Sequence, residues 1–470
     1  RSPQMIAYRS YDQVAGNWHD HTWKQVDREV ARWQAALTKE GLVAGDRVAI
    51  MSKNCPEWVI FDQAALGLGL VVVPLYTDDR AENAAYILGD SGAKLLLLED
   101  QKQWQSLKEL RAQMGDLFRV ITINPFENFT KDAVNADLSA LCDWLPEEAG
   151  EVQHANHEPN DLATIMYTSG TSGRPKGVML SHHNLLTNAN SCLQIVSVSQ
   201  DDLFLSFLPL SHAFERTVGY YLPLMTGATV AYARSIQQLQ EDLISVRPSV
   251  LISVPRIYER VYAAIHAKLE KKSALSRLIF NYAVEVGYSR FEFRQQRGPK
   301  KISHLLWPLL NLLVAKEVMG KLGGQLRLAM AGGAPLSIEV SRMFIGLGLP
   351  ILQGYGMTEC SPVACVNSID NNVPSSVGRV IPGVAVKLDE NNSLLIHGPN
   401  VMLGYWNNPD ATAAILASDG WLNSGDMARI DGGIITITGR LKEIIVMSTG
   451  EKIPPADMEA AILRDRLFEQ

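Results

Sequence analysis

Short apolar runs separated by helix-length segments constrain this 470-residue chain more than any other feature. Val71–Pro74 and Leu95–Leu98 are β-branched or leucine-rich with no polar alternation, the pattern of strands covered on both faces. Trp23–Glu40 reads as an amphipathic helix and Arg47–Met51 as a further strand. The alternation returns after residue 160, where Ala163–Tyr167 and Leu203–Leu208 are strand-like and His183–Val196 is helical. Strands alternating with helices predict βα units and parallel pairing. The length exceeds what one core supports, so two sheets with helices packed between and around them are expected. From about Pro374 the runs shorten: Val384–Leu388, Ser393–His397 and Ile434–Thr438 lie between Gly, Pro and Asn-Asn turns. They predict a small antiparallel β subdomain over about 374–439. After Gly439 a new pattern starts with Leu441–Met447 and an Asp457–Leu467 helix. The expected class is α/β: a large N-terminal domain over 1–439, then over 440–470 a hinge and the start of a small α+β C-terminal domain, truncated here.

Composition narrows the partners. Lys plus Arg total 43 against 50 Asp plus Glu, a formal charge of −7. Nucleic-acid binders concentrate positive charge to neutralise phosphates, so no nucleic acid is expected as partner. Cys55, Cys142, Cys192, Cys360 and Cys365 show no CxxC pairing, which points to reduced thiols and a cytoplasmic location rather than zinc or a disulfide framework. The start carries no secretory apolar region. Ala64–Leu75 and Leu305–Ala315 fall short of the ~20 residues that cross a bilayer, and Pro308 interrupts the second, so no transmembrane span is expected.

The sharpest local signal is Tyr167-Thr-Ser-Gly-Thr-Ser-Gly-Arg-Pro-Lys-Gly177, placed after a strand. Gly170 and Gly173 free the backbone for tight turns that aim amide N–H groups at one anion. Thr168, Ser169, Thr171 and Ser172 add hydroxyl donors and Lys176 a mobile positive charge. Such a loop suits a triphosphate; a flexible Gly/Ser surface loop is the alternative. It is not a Walker A loop, because Gly177 follows the lysine.

This loop resembles the phosphate-binding loop of the adenylate-forming superfamily, which includes acyl-CoA synthetases, luciferases and nonribosomal peptide adenylation domains. Five further segments agree in order and spacing: Leu208-Pro-Leu-Ser-His-Ala-Phe-Glu215, Ala331-Gly-Gly-Ala-Pro335, Gln353-Gly-Tyr-Gly-Met-Thr-Glu359, Gly420-Trp-Leu-Asn-Ser-Gly-Asp426 and Gly439-Arg-Leu-Lys-Glu-Ile-Ile445. The resemblance covers essentially the whole chain. It implies that a carboxylate attacks the α-phosphate of ATP to give an acyl-adenylate and pyrophosphate, and that CoA thiolate then displaces AMP.

Residue by residue, the resemblance implies an Mg²⁺ ligand in Glu359, with Thr358 donating to the α-phosphate. Tyr355 stacks on adenine in a pocket bounded by Gly333, Ala334, Pro335, Gln353, Gly354, Gly356 and Met357. Asp426 and Arg440 reach the ribose. His212 places or gates the acyl carboxylate, and Phe214 lines the acyl channel. Lys442 is the hinge about which the C-terminal domain turns. One departure limits the match. Many relatives carry a lysine six residues after the arginine, where Val446 stands here. The lysine that assists adenylation in the family is expected beyond Gln470.

Leu275–Leu328 contains Phe291-Glu-Phe-Arg294, Gly298-Pro-Lys-Lys301, Leu305–Leu313 and Lys316–Lys321. With Val254-Pro-Arg-Ile-Tyr-Glu-Arg260, it resembles the insertion of long-chain fatty acyl-CoA synthetases. The resemblance therefore implies a long-chain fatty acid, ATP and CoA as substrates; a carrier protein as acyl acceptor is the alternative. Basic and apolar residues together fit peripheral membrane contact, while a helix packed on its own domain is the simpler account. A homodimer stays open.

Overall fold

The unalternated apolar runs become inner strands of two sheets. The computed structural model describes residues 2–126, 137–168 and 174–441, and the backbone of 445–446 and 452–453. One sheet runs in the order Gly404–Tyr405, Lys176–Ser181, Leu162–Thr168, Val71–Pro74, Arg47–Met51, Ala93–Leu98, Arg119–Thr122, Leu138–Ala140. The second runs Arg379–Val380, Val363–Val366, Ile351–Gly356, Leu328–Ala331, Val250–Ser253, Leu203–Ser206, Thr229–Tyr232, Ile6–Asp12, Asn17–Thr22. Pairing is parallel through the middle of both, as the βα alternation predicts; it is antiparallel at both margins of the second sheet and at the Gly404–Tyr405 margin of the first, whose Leu138–Ala140 margin stays parallel. One antiparallel margin matters for function. Leu162–Thr168 and Lys176–Ser181 form an antiparallel hairpin with Thr168 opposite Lys176, so the two flanks of the Gly-rich segment are held side by side.

Helix Pro56–Gly67 touches both Val71–Pro74 and Ile6–Asp12, and so lies between the sheets. Its sequence explains the position: Trp58, Phe61, Ala64 and Ala65 leave it no water-facing stripe, and a helix apolar all round is buried. Each large side chain buried there contributes roughly 1.5–3 kcal/mol. Asp62 on this helix is fully buried, and it ion-pairs with the equally buried Arg216. Arg216 also donates to Thr164 Oγ1 at 2.7 Å and Tyr221 Oη at 3.1 Å, while the Tyr220 and Tyr221 hydroxyls donate to Asp62 Oδ2, each at 3.0 Å. This network ties the central helix to strand Leu162–Thr168 and to the π-helical turn Glu215–Tyr221.

A four-stranded antiparallel sheet follows: Ala385–Leu388, Ser393–His397, Leu422–Asp431, Ile434–Arg440. The Asp457–Leu467 helix and most of Leu441–Met447 fall outside the described residues. One expectation is overturned. Pro308 does not break the Leu305–Ala315 run: 302–320 is one continuous helical segment, long and apolar enough by length and composition to cross a membrane. Pro308 sits in the first turn of the α-helical stretch Trp307–Leu310, where its missing N–H costs no hydrogen bond. One face of the segment, with Leu310, Val314, Ala315 and Val318, packs into a core shared with Phe280, Ala283 and Val286 of helix Ala274–Arg294.

Candidate active site

The hairpin, the ends of Leu328–Ala331 and Ile351–Gly356, and the antiparallel sheet border one cavity of about 680 Å³. Thr168, Lys176, His212, Phe214, Gly333, Gly354, Tyr355, Gly356, Met357, Thr358, Glu359, Asp426 and Arg440 all line it. Segments more than 270 residues apart in sequence, from Thr168 to Arg440, thus meet in one cleft. Ala334 and Pro335 are exposed beside it. Gln353 is buried and turned to the backbone, accepting from Leu336 N–H at 3.0 Å and donating to Pro374 C=O, so it braces the loop after Ala331 and does not line the cavity. Ser169, Gly170, Thr171, Ser172, Gly173 and Lys442 lie outside the described residues.

In this cavity Tyr355 Oη donates to Asp426 Oδ2 at 2.5 Å and Arg440 Nε to Asp426 Oδ1 at 3.1 Å. Strand pairing brings the ion pair together, since Asp426 and Arg440 face each other across neighbouring strands. Burial, then the Asp426 charge, pushes the Tyr355 phenol pKa up, so it stays a donor. Gly356 is required by close approach. A Cβ there would stand 1.8 Å from the Pro362 carbonyl oxygen, an impossible contact.

Glu359 is nearly buried, and its Oε1 accepts from Tyr405 Oη at 2.6 Å. Lys176 Nζ lies 5.2 Å from the centre of the same Tyr405 ring, within cation–π range. Burial, then Glu359, raises the Tyr405 pKa and keeps its proton in place. Among the described residues Glu359 Oε2 accepts no hydrogen bond, and no three His, Cys, Asp or Glu side chains cluster to make a protein cage. A single carboxylate facing a polyanion cleft fits Mg²⁺, which keeps waters and takes phosphate oxygens beside one or two carboxylates. Sequence reasoning missed Tyr405. It enters the site because Gly404–Tyr405 adds as an edge strand to Lys176–Ser181.

His212 and Phe214 also line the cavity. Phe214 N–H donates to His212 Nδ1 at 3.2 Å, which leaves the proton of the neutral ring on Nε2. Desolvation by the cleft walls lowers the imidazole pKa. The Phe214 ring packs on Gly332, where a Cβ would approach to 3.1 Å. Asn54, another residue the sequence did not flag, holds this segment: it donates to Ser206 Oγ at 2.8 Å and Leu208 C=O at 2.6 Å and accepts from Leu210 N–H at 2.9 Å. Behind Phe214, Glu215 is buried. Ser206 Oγ donates to its Oε1 at 2.6 Å, its Oε2 has no hydrogen-bond partner among the described residues, and burial pushes its pKa up to about 8. The only sequence signal for it was an acid closing a mostly apolar motif.

Comparison with known proteins gives the family. The sequence matches the AMP-binding enzyme family over residues 1–406. The chain belongs to that family. Among relatives of the AMP-binding enzyme, the long-chain-fatty-acid–CoA ligase FadD15 of Mycobacterium bovis is 31% identical over the whole of this chain and 77% of its own. The chloroplastic long-chain-fatty-acid–[acyl-carrier-protein] ligase AEE15 of Arabidopsis thaliana is 29% identical over 96% of this chain and 70% of its own. Among solved structures, ATP-bound MatB from Rhodopseudomonas palustris superposes with a TM-score of 0.75 at 25% identity, covering 98% of this chain and 80% of that one.

Proposed function

We propose that this AMP-binding enzyme activates a long-chain fatty acid with Mg-ATP and transfers the acyl group to CoA. The observation that carries the reading is the single cleft in which Lys176, the Glu359–Tyr405 pair and the Tyr355–Asp426–Arg440 cluster converge. Adenine stacks on Tyr355, and Asp426 exchanges a present partner for the ribose hydroxyls, with Arg440 beside it. Lys176 and the Ser169–Gly173 loop neutralise the triphosphate, and Thr358 donates to the α-phosphate. Bound Mg²⁺ supplies charge neutralisation at the phosphate oxygens, with Glu359 as its protein ligand.

In the first step a fatty-acid carboxylate oxygen bonds to the α-phosphorus while the bond to the β-bridging oxygen breaks, releasing pyrophosphate. His212 positions the carboxylate through its Nε2–H, and Phe214 excludes water from the acyl side. In the second step the CoA thiolate attacks the acyl carbonyl and AMP leaves with the electron pair; Lys442 is the hinge between the two. The protein's part is orientation and charge placement around an in-line transfer. The Arabidopsis relative's name favours one second reading, a carrier-protein thiol as acceptor. The test is pyrophosphate release across fatty acids of graded length, followed by labelled acyl transfer to CoA and to a holo-carrier protein. Transfer to CoA is expected; transfer only to the carrier selects the second reading, and no pyrophosphate release with any fatty acid overturns both.

A further inference from the structure

The helical segment 302–320 has a second face that its own domain leaves uncovered. Ile302, Leu305, Leu306, Leu309, Leu312 and Leu313 recur every three or four residues opposite the packed face, and Ile302, Leu305 and Leu312 are 87%, 76% and 61% exposed. Six large aliphatic side chains aligned toward solvent form an apolar strip of the kind soluble surfaces rarely leave open. The strip is bounded by cations. Lys300 and Lys301 precede it, Arg290 and Arg294 come from the neighbouring helix, and Lys316 follows on the same face; all but Arg290 are exposed. Among the described residues Arg290, Arg294, Lys300, Lys301 and Lys316 form no ion pair with an acidic side chain. The Arg290 guanidinium lies 4.8 Å from the centre of the Trp307 ring, which sets it against the start of the segment. The cations converge closely enough that, after desolvation, Arg290, Lys301 and Lys300 lower the pKa of His304.

We propose that this segment lies flat on an anionic lipid bilayer, with the Ile302–Leu313 face sunk into the headgroup–acyl boundary and the flanking lysines and arginines against lipid phosphates. An apolar strip with a cationic rim is complementary to that interface, where helices of this kind bury ~5–10 Å deep. Crossing the bilayer would strip Leu310, Val314, Ala315 and Val318 from the core they share with helix Ala274–Arg294. A second copy of the chain is a poorer occupant, because a two-fold contact sets the same uncompensated cations against each other. The inference rests on this surface alone and holds whatever acyl acid the cleft takes.

The test is co-sedimentation of the 470-residue protein with phosphatidylcholine vesicles, with and without phosphatidylglycerol, beside its mass in solution by light scattering. Binding is expected with phosphatidylglycerol, weakened by salt, released by alkaline carbonate, and at least tenfold weaker for the combined Leu305→Ser, Leu309→Ser and Leu312→Ser variant. Since those side chains are exposed, pyrophosphate release by that variant in lipid-free buffer stays at the parent level. The Lys300→Gln, Lys301→Gln variant keeps the apolar face and should bind about fivefold more weakly per lysine removed. Three results would each overturn the proposal: equal vesicle binding by the leucine variant, retention after carbonate, or a parent dimer that this variant converts to monomer while vesicle binding persists.

Discussion

A hydroxyl, two carboxylates and the charge each must carry set the testable behaviour at the level of single residues. Glu359→Gln removes the charge proposed to ligate Mg²⁺ and keeps the side-chain volume. Adenylate formation should fall by orders of magnitude with the melting temperature little changed, and near-normal pyrophosphate release at saturating Mg²⁺ would rule out the role. Tyr405→Phe deletes only the 2.6 Å hydrogen bond to Glu359 and leaves the ring under Lys176. A hydrogen bond to a charged group is worth about 1.5–3 kcal/mol, so kcat/KM should drop ten- to a hundredfold. An Mg²⁺ titration of pyrophosphate release separates positioning of Glu359, which shifts the metal requirement, from a structural role, which does not. Glu215 predicts a stability trend. Its folded-state pKa of about 8 stands above its ordinary 4.5, so across that range the native state holds a proton the unfolded chain has lost. Stability contributed by the neutral acid is complete below the lower value and is lost as pH rises through the upper, at up to about 1.4 kcal/mol per pH unit. Glu215→Gln should flatten that slope in urea midpoints measured from pH 5 to 9; identical slopes would remove Glu215 as the cause.

Helix Pro56–Gly67 and the π-helical turn Glu215–Tyr221 are elements that position the site without touching its ligands, and their joint is the Asp62–Arg216 pair. Asp62→Asn leaves a fully buried guanidinium without its counter-charge, a loss of about 3–5 kcal/mol. The combined Asp62→Leu, Arg216→Met replacement removes both charges and should recover much of that loss in denaturant midpoint. If the single change were as mild as the double, the pair would not be what holds the joint. Elements also differ in how readable they were. Arg47–Met51, Val71–Pro74 and Ser393–His397 have the bounds their residue patterns indicate, because a strand's burial is written directly into its side-chain period. Strand Lys176–Ser181 escaped notice, since it is short and begins at the lysine and glycine that close the Gly-rich segment. The 302–320 segment was misjudged because Pro308 stands where the 3₁₀ turn Ile302–Leu306 passes into the α-helical stretch Trp307–Leu310, in whose first turn a proline is tolerated.

At the scale of the whole molecule, the proposed reaction uses one cavity for nucleotide and acid together, and preference among acids is then a property of that whole enclosure. If the acyl group is long-chain, kcat/KM should rise steeply with chain length, since each methylene buried contributes roughly 0.8 kcal/mol, about fourfold, until the channel is full. A best substrate of acetate or benzoate in a pyrophosphate-release series would defeat that assignment. The sequence by itself determined the α/β class, the parallel centres of two sheets, and half of the residues that line the cleft. Those properties follow from local patterns: side-chain period, turn residues and contiguous motifs whose members travel together on one strand end or loop. Tertiary structure decided the pairings between distant segments. Tyr405 meets Glu359 across 46 residues, Arg216 meets Asp62 across 154, and Asn54 reaches Leu210 across 156. None of these leaves a local trace, because each partner is chosen by which strand edges and helix faces pack together once the core has formed, and a buried charge or hydroxyl is tolerated only where that packing supplies its complement.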